Sequence, residues 1–263
     1  ERHGVAPEDC KSVTFIPASI YDNKKLLEVD PGYLANLKAL TRVERERLLG
    51  GNWKIRPAAG LYFQRHEARV IETLPADIVA QVRAWDLAAT PPTAENPEPD
   101  ATAGIRMART RSGRFVVMHL AHMRERAQKV RAAIRNTAEQ DGRTVKIALP
   151  QDPGQAGKDQ AASYVAETLL GWSVSLRRPS KDKITRAEPF VSQWQAGNVD
   201  VLAGPWNERF FAELEGFPDA AHDDIVDAAA DAFAELAGVG GPIEFQPVGP
   251  RVGGGDFSSP GAW

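Results

Sequence analysis

The stretch VRAWDLAA, residues 82–89, is a short apolar run that carries one acidic side chain, Asp86. Its length and composition predict a buried β-strand. A carboxylate in such a strand is costly to bury unless it is paired or binds a metal ion. The stretch therefore predicts a strand of a sheet and, at Asp86, one residue of a functional site.

The pattern around this strand indicates the fold class. ATAGIRMART (101–110) and GRFVVMHLAHM (113–123) predict a β-hairpin that turns around residues 111–113. Helices are then predicted over 124–140, 158–171, 185–198, 206–217 and 222–238, and strands over 144–150, 172–178 and 199–204. This order predicts an α/β fold, a mixed sheet with helices on both faces and an antiparallel opening hairpin.

The segments on either side of this region differ from it. Residues 1–80 predict irregular structure with one helix in DPGYLANLKALTRVERERLLGG, which Asp30 would cap and Gly50–Gly51 would end. We expect residues 1–80 to form a connector or appendage and residues 81–238 the main domain. The Gly- and Pro-rich residues 239–263 are expected to be a flexible tail. The absence of a starting Met indicates a fragment or a processed product.

Composition indicates a soluble globular protein. Of the 263 residues, 43% are hydrophobic and 25% are charged. No apolar run approaches the roughly 18 residues that a membrane-spanning helix needs, and the first residues lack the apolar core of a signal peptide. The single cysteine, Cys10, excludes an internal disulfide and a cysteine-cluster metal site, and it fits a reducing, intracellular setting.

Charge is distributed unevenly, although the net charge is only −3. Residues 106–135 and 177–186 are rich in Arg and Lys, whereas residues 208–235 are rich in acids. Basic patches around an acidic centre can hold a polyanion at the rim and cations in the middle. On charge alone, simple solvation of a hairpin and a helix face explains the pattern equally well.

Two further acidic positions join Asp86. Asp152 directly follows the predicted strand TVKIALP, and HDDIVDA (222–228) places Asp223 and Asp224 at the start of the last helix. The simplest reading of HDDIVDA is a solvated acidic helix face. If the four acids meet, however, their repulsion requires cations, and an all-oxygen cluster prefers Mg²⁺ or Mn²⁺. Two such ions can hydrolyse a phosphodiester between them.

Six motifs, taken together, resemble a known family. They are WDLAAT, Asp100-x-Thr102-x-Gly104, QDPGQAGK, KITRAEPFVSQWQAGNV, GPWNERFFAELEGFP and HDDIVDA. In this order, over roughly residues 80–238, they resemble the C-terminal nuclease domain of the large terminase subunit of tailed bacteriophages. The resemblance implies an RNase H-like fold and a metal-dependent DNA endonuclease that cuts concatemeric viral DNA during genome packaging.

The resemblance also assigns residues. Asp86 matches the first catalytic acid, Asp152 the second, and the pair Asp223 and Asp224 the third, with the primary ligand of that pair left open. One ion would be held by Asp86 with Asp223 or Asp224, and the other by Asp86 with Asp152. Many relatives have Glu at the second position. Accessory groups would be Asp100, Lys158, Asp227 and His222, although Lys158 and His222 also fit a plain helix start.

The implied partners follow from the same resemblance. The hairpin residues Arg109, Arg111 and Arg114 are expected to contact phosphates without reading sequence, together with Lys181, Lys183 and Arg186. The substrate would be double-stranded DNA, and the portal protein and the small terminase subunit would be protein partners. The setting would be the host bacterial cytoplasm during virus assembly, with no membrane.

Large terminases also carry an ATPase motor, which needs a G-x-x-x-x-G-K-[ST] loop. GQAGKD lacks that spacing, so we expect no ATP hydrolysis by this chain and interpret residues 1–80 as the connector after the motor. Two alternatives stay open. One is a junction resolvase or RNase H-type nuclease on the same fold, and the other is a non-catalytic module that docks on the portal or another packaging subunit.

Overall fold

The computed structural model describes residues 19–238, except Trp53 and residues 179–181. The chain divides into two compact units, Glu1–Arg56 and Pro57–Trp263. The expected tail, residues 239–263, lies outside the described residues. In the described part of the chain, no helix is long and apolar enough to cross a membrane.

Within residues 19–56, the described part of the first unit, lie the short α-helices α1 (Lys24–Val29), α2 (Pro31–Lys38) and α3 (Arg42–Leu48). The Asp30 carboxylate accepts a hydrogen bond of 3.1 Å from the Tyr33 backbone N–H, as expected of a helix cap. The prediction of one continuous helix is wrong beyond Lys38. Thr41 has extended backbone angles, φ −58° and ψ 157°, which end the helical hydrogen bonding and start α3.

The second unit is built on a seven-stranded sheet in the order β1-β7-β4-β3-β2-β5-β6. Its strands are β1 (Arg69–Ile71), β2 (Ile78–Asp86), β3 (Thr102–Thr110), β4 (Phe115–Met123), β5 (Lys146–Pro150), β6 (Val174–Arg177) and β7 (Val199–Leu202). The pairs β2–β3 and β3–β4 are antiparallel, and the other neighbours are parallel. The predicted mixed sheet with an antiparallel opening hairpin is confirmed.

Helices cover both faces of the sheet. They are α4 (Ala127–Asp141), α5 (Gln155–Ser163), α6 (Lys183–Gln195), α7 (Asn207–Gly216) and α8 (Asp224–Ala237), and α5 continues into a π-helical turn over Tyr164–Thr168. On one face, Ile134 of α4 packs in a core cluster with Trp85 of β2. On the other, the ring of Phe233 in α8 lies 4.6 Å from that of Phe115 in β4.

The sheet unit begins upstream of the boundary expected at residue 80. β1 pairs in parallel with β7, and the fully buried Phe63 packs its ring against Phe190 and Trp194 of α6. Residues 57–80 therefore contribute a strand and core residues to this unit. The sequence hides this contribution, because a three-residue edge strand and isolated aromatic residues carry no periodic pattern.

The motif Asp100-x-Thr102-x-Gly104 shapes the end of β2. Gly104 is the cross-strand partner of Trp85, and a Cβ at Gly104 would lie only 2.5 Å from the Trp85 ring. The Thr102 hydroxyl accepts a hydrogen bond of 3.1 Å from the Ala88 N–H and donates one to the Ala88 carbonyl. These contacts fix the chain on both sides of Asp86.

We expect Gly104→Ala to lower the free energy of unfolding by about 1–3 kcal/mol, because the added methyl group overpacks the buried Trp85 ring. Urea denaturation of the full chain measures this. Gly238→Ala is the matched control, since a Cβ there meets no atom within 4 Å. Equal stability of the two variants would contradict the packing role of Gly104.

Candidate metal centre

Two of the predicted acids meet at the carboxyl ends of neighbouring parallel strands. Asp86 is the last residue of β2, and Asp152 follows β5, which pairs with β2 through Ala84 and Ala148. Both acids line one cavity of about 120 Å³. Carboxyl ends of parallel strands are the usual position of sites in α/β sheets. The structure thus brings Asp86 and Asp152 to one cavity.

Gly157 in QDPGQAGK lets the loop after β5 fold closely against α5. A Cβ at Gly157 would lie 2.3 Å from the carbonyl oxygen of Asp152, so only glycine allows this approach without a shift of the backbone. Gly157 also lines the cavity that Asp86 and Asp152 share. The glycine therefore positions Asp152 at the cavity.

The start of α8 supplies the third acid. Asp224 is only 6% exposed, and its carboxylate accepts a hydrogen bond of 2.9 Å from the Ala101 N–H. One ligand atom each of Asp100, His222 and Asp224 lie within 4.8 Å of one another, so this trio could hold a metal ion. The His222 side chain contacts another member of the trio, because its Nδ1 lies 3.3 Å from Asp100 Oδ1.

The charges around Asp86 repel one another. Burial, together with the nearby carboxylates of Asp227, Asp224 and Asp231, raises the pKa of Asp86 to about 8. Burial likewise raises the pKa of Asp224, against a hydrogen bond from Ala101 that lowers it. Buried carboxylates that repel one another are stabilised by a bound cation.

The acids Asp223, Asp227 and Asp231, at the start and along one side of α8, do not form a solvated face. The simplest interpretation of HDDIVDA is therefore wrong. Asp223 forms an ion pair with Lys183, Asp227 with Arg186 at 2.8 Å, and Asp231 with Arg177 at 3.3 Å. The cations come from α6 and β6, which pack beside α8 in the tertiary structure. Among the described residues, by contrast, no Lys or Arg forms an ion pair with Asp86, Asp152 or Asp224.

The hairpin arginines have other contacts than those expected. Arg109 is only 3% exposed and donates to the carbonyls of Leu236 and Ala237 at the end of α8. Arg114 forms an ion pair of 2.7 Å with the fully buried Asp200. The assignment of Arg109 to DNA is therefore corrected, because a buried guanidinium bound to helix carbonyls cannot reach a phosphate.

Arg111 is exposed at the turn of the hairpin, but this turn is remote from the acids. The antiparallel register sets Thr110 beside Ile78, at the start of β2, and Ala103 beside Asp86, at its end. The turn and Asp86 are thus separated by the length of a nine-residue strand, roughly 27 Å. The expected phosphate contact of Arg111 does not lie beside the acid cluster.

The remaining predicted residues lie closer to the acids. Lys183 and Arg186 of α6 form their ion pairs at the start of α8, whereas Lys181 lies outside the described residues. Lys158 is exposed and lines a second cavity, of about 280 Å³, together with Asp152. These positions border the candidate centre.

Sequence reasoning missed Glu213 of α7. Its carboxylate accepts a hydrogen bond of 2.6 Å from the Ile225 N–H and so caps α8 beside Asp224. Burial raises the pKa of Glu213 to about 7. The motif WNERFFAELEGF contains this residue, but helical periodicity alone could not show that its side chain reaches a different helix.

We expect Asp86→Asn to stabilise the metal-free protein at high pH more than at low pH. Because the folded chain holds the Asp86 proton more tightly than the unfolded chain, this group favours folding at low pH, and the contribution is lost as the pH rises toward 8. Asparagine cannot ionise, so the Asp86→Asn variant does not lose this contribution as the pH rises. Urea denaturation in EDTA should show a gain larger by roughly 4 kcal/mol at about pH 9 than at about pH 5.

The exposed loop residue Glu95 provides the matched control for this measurement, and Glu95→Gln should change stability little at either pH. Identical effects of Asp86→Asn at the two pH values would contradict the repulsion at Asp86.

Comparison with known proteins identifies the family of the sheet domain. The model of the terminase RNase H-like domain family matches residues 83–236. The large terminase of a thermophilic bacteriophage, in complex with ADP, is similar in structure with a TM-score of 0.57 and 14% identity, over 84% of this chain and 55% of that chain.

Two nuclease-domain structures match with lower scores. That of the human cytomegalovirus terminase, soaked with Mn and bound to an inhibitor, has a TM-score of 0.49 and 15% identity over 66% of this chain and 95% of that chain. That of a Thermus phage large terminase has a TM-score of 0.46 and 12% identity, over 67% and 95%. No curated protein matches the sequence. The family model covers more than half of this chain, and the chain therefore belongs to the family of terminase RNase H-like domains.

Proposed function

We propose that this chain is a metal-dependent DNA endonuclease that cuts concatemeric viral DNA during genome packaging. The proposal is supported by two observations: Asp86 and Asp152 line one cavity at the ends of β2 and β5, and the carboxylate of Asp224, at the start of α8, helps to raise the pKa of Asp86. Among the described residues these carboxylates have no cationic side chain as partner, whereas their acidic neighbours on α8 do. The membership of the family of terminase RNase H-like domains supports the same reaction.

The donor set fits divalent cations. Carboxylate oxygens are the ligands that Mg²⁺ and Mn²⁺ prefer, and His222 adds one nitrogen donor, which Mn²⁺ accepts more readily than Mg²⁺. We propose that Asp86 and Asp152 hold one ion and that Asp86 and Asp224 hold the other. Bound there, such ions activate water and offset the charge on the leaving 3′ oxygen of a phosphodiester.

Asp224 rather than Asp223 is the proposed ligand of the HDD pair. Asp224 is buried and lies in one cluster with Asp100 and His222, whereas Asp223 is already paired with Lys183. The ion pairs of Asp223, Asp227 and Asp231 then have a positioning role, since they hold α8 beside β2 without adding free charge to the site. Asp100 and His222 act as accessory ligands.

The partners in this proposal are double-stranded DNA as substrate and, in the packaging assembly, the portal protein and the small terminase subunit. The reaction would take place in the host bacterial cytoplasm.

Asp152, one methylene shorter than a Glu, places its carboxylate closer to the backbone of the loop that Gly157 holds in place.

We expect the protein to nick and linearise supercoiled plasmid only when Mn²⁺ or Mg²⁺ is present. Asp86→Ala and Asp224→Asn should each lower the cutting rate by at least about 100-fold, because each removes a direct metal ligand. Asp223→Asn should lower it much less. Gel analysis of plasmid topology, with EDTA as the metal-free arm, measures these rates.

Glu95→Gln, at an exposed loop residue that is not among the proposed ligands, is the activity control. A greater loss in Asp223→Asn than in Asp224→Asn would reverse the assignment within the HDD pair. Preference for branched DNA or for an RNA–DNA hybrid over plain duplex would favour the junction resolvase or RNase H alternative. No cutting with either metal, together with metal-independent binding of a packaging protein, would favour the docking module.

A further inference from the structure

Most cations near the acid cluster are already neutralised. Lys183, Arg186 and Arg177 pair with acids of α8, and Lys146 pairs with Glu235 at 2.6 Å. These side chains balance the charge of the helix and are not free for a ligand.

Two cations beside the same cluster are different. Among the described residues, no acid lies within ion-pair distance of Lys158, at the start of α5, or of Arg178, after β6. Both side chains are exposed and line the cavity of about 280 Å³. Since Asp152 lines this cavity as well as the smaller one that contains Asp86, the two cavities adjoin at Asp152.

The guanidinium of Arg178 is held in place. Its Nε donates a hydrogen bond of 2.7 Å to the side-chain carbonyl of Gln151, which is only 8% exposed. The backbone of Gln151 is held as well, because its backbone N–H donates a hydrogen bond of 2.7 Å to the Arg177 carbonyl. The two terminal amino groups of Arg178 have no hydrogen-bond partner in the described part of the chain. A planar guanidinium held in this way suits a phosphate, which accepts two parallel hydrogen bonds.

We propose that Lys158 and Arg178 bind a backbone phosphate of the DNA strand, next to the phosphodiester at Asp86 and Asp152. The inference rests on the proposed function and replaces the hairpin as the phosphate contact nearest to the reaction. The contact is made to the backbone, so it positions the strand without reading its sequence.

Salt dependence of DNA binding tests this inference. The anisotropy of a fluorescently labelled duplex is measured with the full chain in EDTA over a series of NaCl concentrations. Log affinity falls as log salt rises, and the steepness of this fall counts the phosphate contacts. Lys158→Gln and Arg178→Gln should each make the slope less steep by about 0.9, and the double variant by about 1.8. Lys158→Arg and Arg178→Lys, which retain the charge, should keep the wild-type slope.

Lys25→Gln is the matched control, because it removes one exposed cation of α1 that has no proposed contact with DNA. It should leave the slope unchanged. Wild-type slopes in both Gln variants, or an equal loss in Lys25→Gln, would overturn the inference. Calorimetry with inorganic phosphate completes the test, since phosphate binding that is lost in the variants without any change in DNA binding would assign the cavity to free phosphate and overturn it too.

The failure of the proposed function is read from the wild-type protein alone. If the wild-type chain neither binds duplex DNA nor cuts plasmid with Mn²⁺, the endonuclease proposal fails together with this inference. If it binds and cuts, and only the slopes of the variants stay unchanged, the endonuclease proposal stands and the phosphate site alone is wrong.

Discussion

The organisation of this protein depends on the balance of charge between α8 and the elements packed against it. A helix that carries this many acids cannot be placed against a sheet unless most of them meet cations. Lys183, Arg186 and Arg177 provide these cations for Asp223, Asp227 and Asp231. Asp224 and the facing Asp86 are left out of the pairing, and the resulting repulsion is what a divalent cation would relieve.

The glycine and threonine positions of the motifs support this arrangement from the backbone side. Gly104 admits the Trp85 ring, Thr102 holds the chain that leaves β2, and Gly157 admits the loop of Asp152. The two glycines have no side chain, and the Thr102 hydroxyl is hydrogen-bonded to the backbone of Ala88. Their role is to hold the carboxylates of Asp86 and Asp152 at one edge of the sheet.

The basic residues fall into groups that the sequence does not distinguish. Arg83 is 2% exposed and pairs with Asp141 at 2.7 Å, which ties α4 to the sheet, and Arg114 neutralises the buried Asp200. Arg109 caps the end of α8. Only Lys158 and Arg178 combine exposure, a shared cavity with Asp152 and, among the described residues, the absence of an acidic partner. A basic stretch in the sequence thus includes residues that support the core as well as residues that can meet a phosphate.

The sequence by itself determined the order of strands and helices from residue 81 to 238, the hairpin, and the acids at the strand ends, because hydrophobic period and turn residues are local signals. It left open whether Asp86 and Asp152 would meet, because the parallel pairing of β2 with β5 is not a local signal. Only the tertiary structure decided which acids are neutralised. It assigned Asp223 to Lys183, buried Arg109 under α8, linked His222 to Asp100, and placed β1 in the sheet. The physical reason is that ion pairs and burial join side chains far apart in the chain, and the pattern of one segment does not contain its partner.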